Sequence, residues 1–214
     1  MAILDEISAF LQKGKAREVK ELVQQAIAQG LGARAILEQG LLAGMDVIGG
    51  KFKRNEVFVP EVLMAARAMS AGTALLKPLL ATAGVEATGK VVIGTVKGDL
   101  HDIGKNLVRM MMEGKGLEVI DLGVDVSADK FIAAVQEHHP DIVALSALLT
   151  TTMSEMKVVV DALHSAGLRG EVKVMIGGAP INEGFCASIG ADSYTADAAS
   201  ASDSAIALIK RKAA

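Results

Sequence analysis

The stretch Val91-Val92-Ile93-Gly94-Thr95-Val96-Lys97-Gly98-Asp99-Leu100-His101-Asp102-Ile103-Gly104-Lys105-Asn106 carries the reading of the fold. A β-branched run from Val91 to Val96 fits a strand buried on both faces, which shows no polar alternation. The polar, glycine-bearing segment after it reads as a turn, and the apolar spacing from Ile103 onward reads as a helix. This strand–loop–helix unit repeats downstream. Further β-branched runs lie at Val119–Leu122, Ile142–Leu145 and Val172–Ile176, with a weaker one around Asp192–Thr195. Helical spacing separates them near residues 103–115, 128–138, 153–166 and 182–189, and closes the chain near 197–211. Alternation of this kind predicts a parallel sheet with helices on both faces. Five units in residues 90–214 predict a flavodoxin-like (Rossmann-like), doubly wound, five-stranded sheet.

Upstream of Lys90 the period is helical throughout. Val19, Leu22, Val23, Ala26 and Ile27 recur at three- and four-residue spacing, as do Ile36, Leu37, Leu41, Met45 and Ile48. Four helices are predicted near 3–13, 15–29, 33–53 and 60–82, with Gly14, Gly30 and Gly32 between them and Pro60 in a first turn. Short loops between amphipathic helices predict an antiparallel four-helix bundle over residues 1–84. Residues 85–89 read as a linker and 90–214 as the α/β domain.

Composition narrows the function classes. The 214 residues carry a formal charge of −3, so no basic surface points to nucleic acid. The only cysteine, Cys186, can form neither an internal disulfide nor a cysteine-built cluster, and reads as a small packing residue. An acidic first turn and the lack of a long uncharged apolar run predict a soluble, cytoplasmic chain that meets no membrane. Neither G-x-G-x-x-G nor G-x-x-x-x-G-K-[ST] occurs, which argues against dinucleotide and P-loop chemistry.

In a doubly wound sheet a ligand sits outside the carboxyl ends of the strands, where the strand order reverses. The loops to read are therefore 97–106, 146–152 and 177–180. His101 stands two residues after Asp99, and a carboxylate on one ring nitrogen makes the other a better metal ligand. A solvated loop histidine is the competing reading, and the pattern names no metal. Ser146, Thr150, Thr151 and Thr152 offer more hydroxyls than one helix cap needs. Gly177-Gly178 either admits a ligand to the backbone or turns the chain tightly. His138, His139 and His164 read as helix-end or solvated residues, and the ten methionines as helix packing.

Asp99-x-His101-x-x-Gly104, followed by Ser146-x-Leu148 and Gly177-Gly178, resembles the signature of cobalamin-binding domains in methyl-transferring corrinoid proteins. The segment Thr95–Asn106 is similar to the matching loop of cobalamin-dependent methionine synthase, and the helical half resembles the cap of these proteins. The corrinoid proteins of methylamine, methanol and methoxyl methyltransferase systems are similar in length as well. The resemblance implies that the chain binds cobalamin, as methylcobalamin or another corrinoid, in a base-off, His-on form with His101 as the lower ligand to cobalt. It implies that Asp99 bonds the other ring nitrogen and that Thr152 takes the place of a relay serine. Gly98, Leu100, Asp102, Ile103 and Gly104 would complete the loop under the corrin. Leu148 would also bind the cofactor, Ser146 and Thr150 would meet the displaced nucleotide tail, and Gly177, Gly178 and Ala198 would line its slot. In the cap, Phe52 and Val59 would shield the upper face beside the Glu38 carboxylate. Such a protein is the corrinoid subunit of a multi-component methyltransferase. The implied partners are a donor-specific methyltransferase, a folate- or thiol-dependent acceptor methyltransferase and a separate reductive activator. The rival reading is a cobalamin-responsive sensor, which would need an output domain such as a helix-turn-helix that the sequence does not show.

Overall fold

The computed structural model describes residues 2–84 and 87–212. The chain divides into two compact units: Met1–Ala87 with Gly114–Gly116, and Thr88–Glu113 with Leu117–Ala214. Within the predicted linker, Val85 and Glu86 lie outside the described residues, as do Met1, Ala213 and Ala214 at the predicted domain ends.

The first unit is helical. Helices α1 (Ala2–Gln12), α2 (Ala16–Ala28) and α5 (Val59–Thr82) match the predicted positions closely. The predicted helix 33–53 differs in kind. It starts as α3 (Ala33–Ala35), widens into a π-helical segment (Ile36–Leu42), and continues as α4 (Ala43–Lys53). Ile36 and Leu41 are both fully buried although five residues apart, and the extra residue per turn keeps them on one face. Small residues allow the helices to approach closely. A Cβ on Gly40 would stand 3.1 Å from Ile7, and one on Gly72 would stand 2.8 Å from Leu41. Helix α5 opens with Pro60 in its first turn, and the Glu61 carboxylate accepts the Phe58 N–H at 3.0 Å.

The second unit is a parallel sheet of five strands in the order β2-β1-β3-β4-β5. The strands are β1 (Lys90–Thr95), β2 (Glu118–Asp121), β3 (Ile142–Ser146), β4 (Lys173–Gly177) and β5 (Ser193–Tyr194). Helices α6 (Ile103–Glu113), α7 (Ala128–His138), α8 (Ser154–Ser165), α9 (Glu183–Ser188) and α10 (Ala198–Lys212) lie between and after them. Side chains alternate along each strand. Val91, Ile93, Ile142, Ala144 and Met175 pack with Met112 of α6 and with Ala201 and Ala205 of α10. Val92, Val143, Leu145, Val174 and Ile176 face the other way, into Phe131 of α7 and Met156, Val159 and Leu163 of α8. Cys186 belongs to this second core, and burial, with Asp192 and Glu183 nearby, pushes its thiol above the usual range. No described helix is long and apolar enough to cross a membrane.

This topology creates the site. Strands β1 and β3 are neighbours, yet β1 leads into α6 on one face and β3 into α8 on the other. Their loops therefore diverge, leaving a crevice at the carboxyl edge.

Candidate functional site

Asp99 lies at the root of this crevice, with its residue fully buried. Its Oδ1 accepts the His101 N–H at 3.1 Å and contacts His101 Nδ1 at 2.8 Å. Its Oδ2 accepts the Thr152 hydroxyl at 2.7 Å and the N–H groups of Leu148 and Leu149 at 2.8 and 3.2 Å. Burial alone would raise the pKa of this carboxyl. The Thr152 hydroxyl, the Leu148 N–H and the His101 ring and N–H together outweigh burial and hold it well below the usual carboxylate range. An ionised carboxylate only accepts, so the hydrogen between it and the imidazole resides on Nδ1. In the neutral ring the Nε2 lone pair is then free for a ligand. The side chain of His101 is 50% exposed, in contrast to the buried carboxylate that holds it.

The rest of the loop is braced from several sides. Gly98 has φ +79°, which a side chain would strain, and its missing Cβ would stand 3.6 Å from the Thr152 methyl. The Thr95 hydroxyl donates to the His101 carbonyl at 2.9 Å. Asp125, in the loop after β2, accepts the Gly98 N–H at 2.7 Å and donates its own N–H to the Asp99 carbonyl at 3.0 Å. Asp102 accepts both the backbone N–H and the side-chain amide of Asn106, in the first turn of α6. Lys105, almost completely buried, places Nζ 2.6 Å from both oxygens of Asp121 and ties α6 to the end of β2.

Around this polar root the rim is apolar. Leu100 and Ile103 are 72% and 78% exposed, and Leu148 and Leu149 are exposed beside them on the β3 loop. The two glycines after β4 have different reasons to be glycine. A Cβ on Gly178 would stand 1.7 Å from the Ala147 carbonyl oxygen at φ +135°, so the fold itself demands glycine there. A Cβ on Gly177 or Gly104 would meet nothing within 4 Å. The hydroxyls of Ser146 and Thr150 make no hydrogen bond to the protein among the described residues. Ala198 is the buried first residue of α10.

The structure thus joins His101, Asp99 and Thr152 in one hydrogen-bonded chain, with Gly98, Leu100, Asp102, Ile103, Gly104 and Leu148 on the same two loops. Glu38, Phe52 and Val59 belong to the helical unit. Glu38 lies in the π-helical segment, its carboxylate 2.8 Å from Arg34 Nε, and Phe52 and Val59 are half-buried. Sequence reading assigned no role to Asp125 or to the Thr95 hydroxyl. The aspartate's bonds run to backbone groups, which no residue pattern reveals.

One exposed imidazole nitrogen and an apolar rim do not make a self-contained metal centre. Among the described residues no three His, Cys, Asp or Glu side chains group to hold an ion. A free imidazole nitrogen below an apolar, glycine-gapped crevice instead suits a flat, ring-bound metal that brings most of its own ligands.

Comparison with known proteins gives the same picture. Residues 89–203 and 3–77 each match a family model described as a B12 binding domain. The chain is 42% identical over 202 residues to a corrinoid protein of Desulfitobacterium hafniense, covering 92% of this chain and 94% of that one. It is 43% identical over 193 residues to trimethylamine corrinoid protein 2 of Methanosarcina acetivorans, covering 89% of each. A chain in the crystal structure of the methanol:cobalamin methyltransferase complex MtaBC from Methanosarcina barkeri superposes with a TM-score of 0.89 at 33% identity, covering 98% of this chain and 80% of that one.

Proposed function

The chain belongs to the family of B12-binding corrinoid proteins, whose cofactor is cobalamin or a related corrinoid, and from that premise we propose that it is a methyl carrier with His101 as its lower cobalt ligand. A bound corrinoid supplies a cobalt centre that accepts a methyl group and gives it up again. The protein's own contribution is the chain Thr152–Asp99–His101, and this is the observation that carries the reading. It fixes the tautomer, aims the ring and leaves Nε2 without a protein partner among the described residues. A proton arriving at Nε2 removes the lone pair that ligation needs, so the same ring can hold or release the metal. Leu100, Ile103, Leu148 and Leu149 supply an apolar bed for the corrin ring, and the open space beside Gly104 and Gly177 admits bulky groups close to the backbone. The unengaged hydroxyls of Ser146 and Thr150 suit the displaced nucleotide tail, with Gly177, Gly178 and Ala198 along its course.

One relative is named a trimethylamine corrinoid protein, and a similar solved chain belongs to a methanol:cobalamin methyltransferase complex. Their resemblance supports a working partnership of a donor-specific methyltransferase that loads the methyl group and an acceptor methyltransferase, folate- or thiol-dependent, that removes it. A separate reductive activator would restore oxidised cobalt, since one cysteine leaves this chain without a cluster of its own.

The test is the ultraviolet–visible spectrum of protein reconstituted with methylcobalamin and, separately, with adenosylcobalamin. The expected result is tight binding of methylcobalamin with a histidine-ligated spectrum that His101→Ala lacks. An identical spectrum in His101→Ala would refute the ligand assignment, and strong preference for adenosylcobalamin would refute the methyl carrier.

A further inference from the structure

We propose that Asp125, in the loop between β2 and α7, is a positioning residue for the lower-ligand loop, clamping Gly98-Asp99 so that the Asp99 carboxylate stays aimed at His101. The chain after β2 leaves the sheet at Gly123 and rejoins β1 at Val126, where Val96 and Val126 form a parallel bridge. Both ends of this excursion are pinned to the same residue of β1. The Thr95 N–H donates to the Gly123 carbonyl at 3.0 Å, and the Val126 N–H donates to the Thr95 carbonyl at 2.9 Å. Between the pins stands Asp125, with φ +53°, left-handed backbone that few residues other than glycine adopt at low cost. Aspartate tolerates that region because its short polar side chain can bond nearby backbone.

The side chain does so across the gap between the two loops. Asp125 Oδ1 accepts the Gly98 N–H at 2.7 Å while the Asp125 N–H reaches the Asp99 carbonyl at 3.0 Å. One residue therefore holds the amide at the start of the Gly98-Asp99 pair and the carbonyl at its end. Gly98 itself is left-handed, at φ +79°, so the pair turns sharply and has no regular secondary structure to keep it in register. Its other supports lie elsewhere: the Asp99 N–H donates to the Val96 carbonyl at 3.2 Å, and the Thr95 hydroxyl holds the His101 carbonyl. Without the Asp125 carboxylate, Gly98 loses its bond to the β2 loop. The Asp99 side chain then answers to Leu148, Leu149 and Thr152 on one side with less hold on its own backbone.

Three variants separate the causes. Asp125→Gly keeps the N–H and permits the left-handed backbone but deletes the acceptor. Asp125→Asn keeps the acceptor oxygen and also tolerates the backbone. Asp125→Ala removes the acceptor and strains the turn, so it reports the two losses together. In cofactor-free full-length protein, Asp125→Gly should accelerate amide hydrogen exchange at Gly98 by about tenfold, the size of one lost net hydrogen bond. It should also shift the ring nitrogen signals of His101, read by NMR at one fixed pH, away from the single Nδ1–H tautomer. In protein reconstituted with methylcobalamin the ratio of histidine-ligated to unligated cofactor should fall about fivefold. Asp125→Asn should restore all three readouts.

Unchanged Gly98 exchange and unchanged His101 ring signals in Asp125→Gly would overturn the proposal, as would an Asp125→Asn variant that behaves like Asp125→Gly. Only the reconstitution readout rests on His101 being the lower ligand. If His101→Ala leaves the cofactor spectrum unchanged, the ligand assignment fails, and the cofactor-free measurements still decide the clamp.

Discussion

Replacing Thr152 by valine tests the root of the site with the least change in shape. The substitution deletes the hydroxyl 2.7 Å from Asp99 Oδ2 and keeps a branched side chain in the same buried place. A hydrogen bond to a charged group contributes about 1.5–3 kcal/mol. Leu148 and Leu149 continue to donate to the same oxygen, and valine has no hydroxyl to desolvate, so the loss should fall near the lower end, about 2 kcal/mol. Thr152→Ser is the matched control. It keeps the hydroxyl and removes the methyl that lies beneath Gly98, at a cost of about 1 kcal/mol for one buried methyl group. Because the two costs are of similar size, unfolding in urea does not separate them. The titration of the Asp99 carboxyl, followed by carbon-13 NMR, does. Burial raises that pKa, and the Thr152 hydroxyl is the strongest of the bonds lowering it, so Thr152→Val should move it up and Thr152→Ser should leave it low. An Asp99 that titrates identically in Thr152→Val and wild type, with stability unchanged within about 0.5 kcal/mol, would refute the idea that this hydroxyl holds the carboxylate.

Acid should expose the same bonds in a second way. Asp99 has a folded-state pKa below its unfolded value of about 3.9, so its stabilisation is complete above that pH and is lost as pH falls toward the folded value. The stability advantage of wild type over Asp99→Asn should therefore be constant from neutral pH to about pH 5 and shrink by pH 3; an advantage that grew on acidification would contradict the hydrogen-bond assignment. Gly178→Ala forces a Cβ to within 1.7 Å of a backbone oxygen and should lower the thermal midpoint by an amount equivalent to more than about 3 kcal/mol, whereas Gly177→Ala, which meets open space, should leave cofactor-free stability within about 0.5 kcal/mol. Leu100→Asp and Ile103→Asp alter exposed side chains and should also leave urea unfolding of the cofactor-free protein within about 0.5 kcal/mol, yet weaken methylcobalamin binding at least tenfold by equilibrium titration. Lys105→Met deletes the ammonium held by both Asp121 oxygens but leaves that carboxylate the Gly123 N–H at 2.9 Å and Arg109 Nε at 3.9 Å, and should destabilise by about 1.5–3 kcal/mol in the same unfolding assay.

The strands were legible because parallel strands buried on both faces read as unbroken β-branched runs, and Val91–Val96, Ile142–Leu145 and Val172–Ile176 have that form. The run near Asp192–Thr195 was weak for a physical reason: β5 is only two residues long and lies at the sheet edge. The π-helical turn was not legible, because apolar residues at three, four and five apart suit an α-helix until their burial is known. For the site, the switch-point rule pointed to the loops after β1 and β3, which the structure joins through Asp99 and Thr152, and the i, i+2 spacing of Asp99 and His101 does bring their side chains together. Residues alone left both glycine readings open, and the structure separates them: Gly178 is needed by the backbone of Ala147, and Gly177 is not. Thr152 stands 53 residues from Asp99 in the chain, so the contact was implied only by resemblance to the corrinoid proteins. The bonds made by Asp125 to the backbone of Gly98 and Asp99 leave no trace in residue type beyond a short polar side chain.

The saturated carboxylate of Asp99 has a consequence for how such a protein can diverge. Donors on Oδ2 come entirely from the loop after β3, and those on Oδ1 come from His101 itself. Leu100 and Ile103, between and beyond these fixed points, contribute nothing to that anchorage. Substitutions at these two exposed positions therefore leave the bonds that aim the imidazole untouched. Inheritance can therefore act on the anchor and on the exposed rim separately, changing one while the other keeps its geometry.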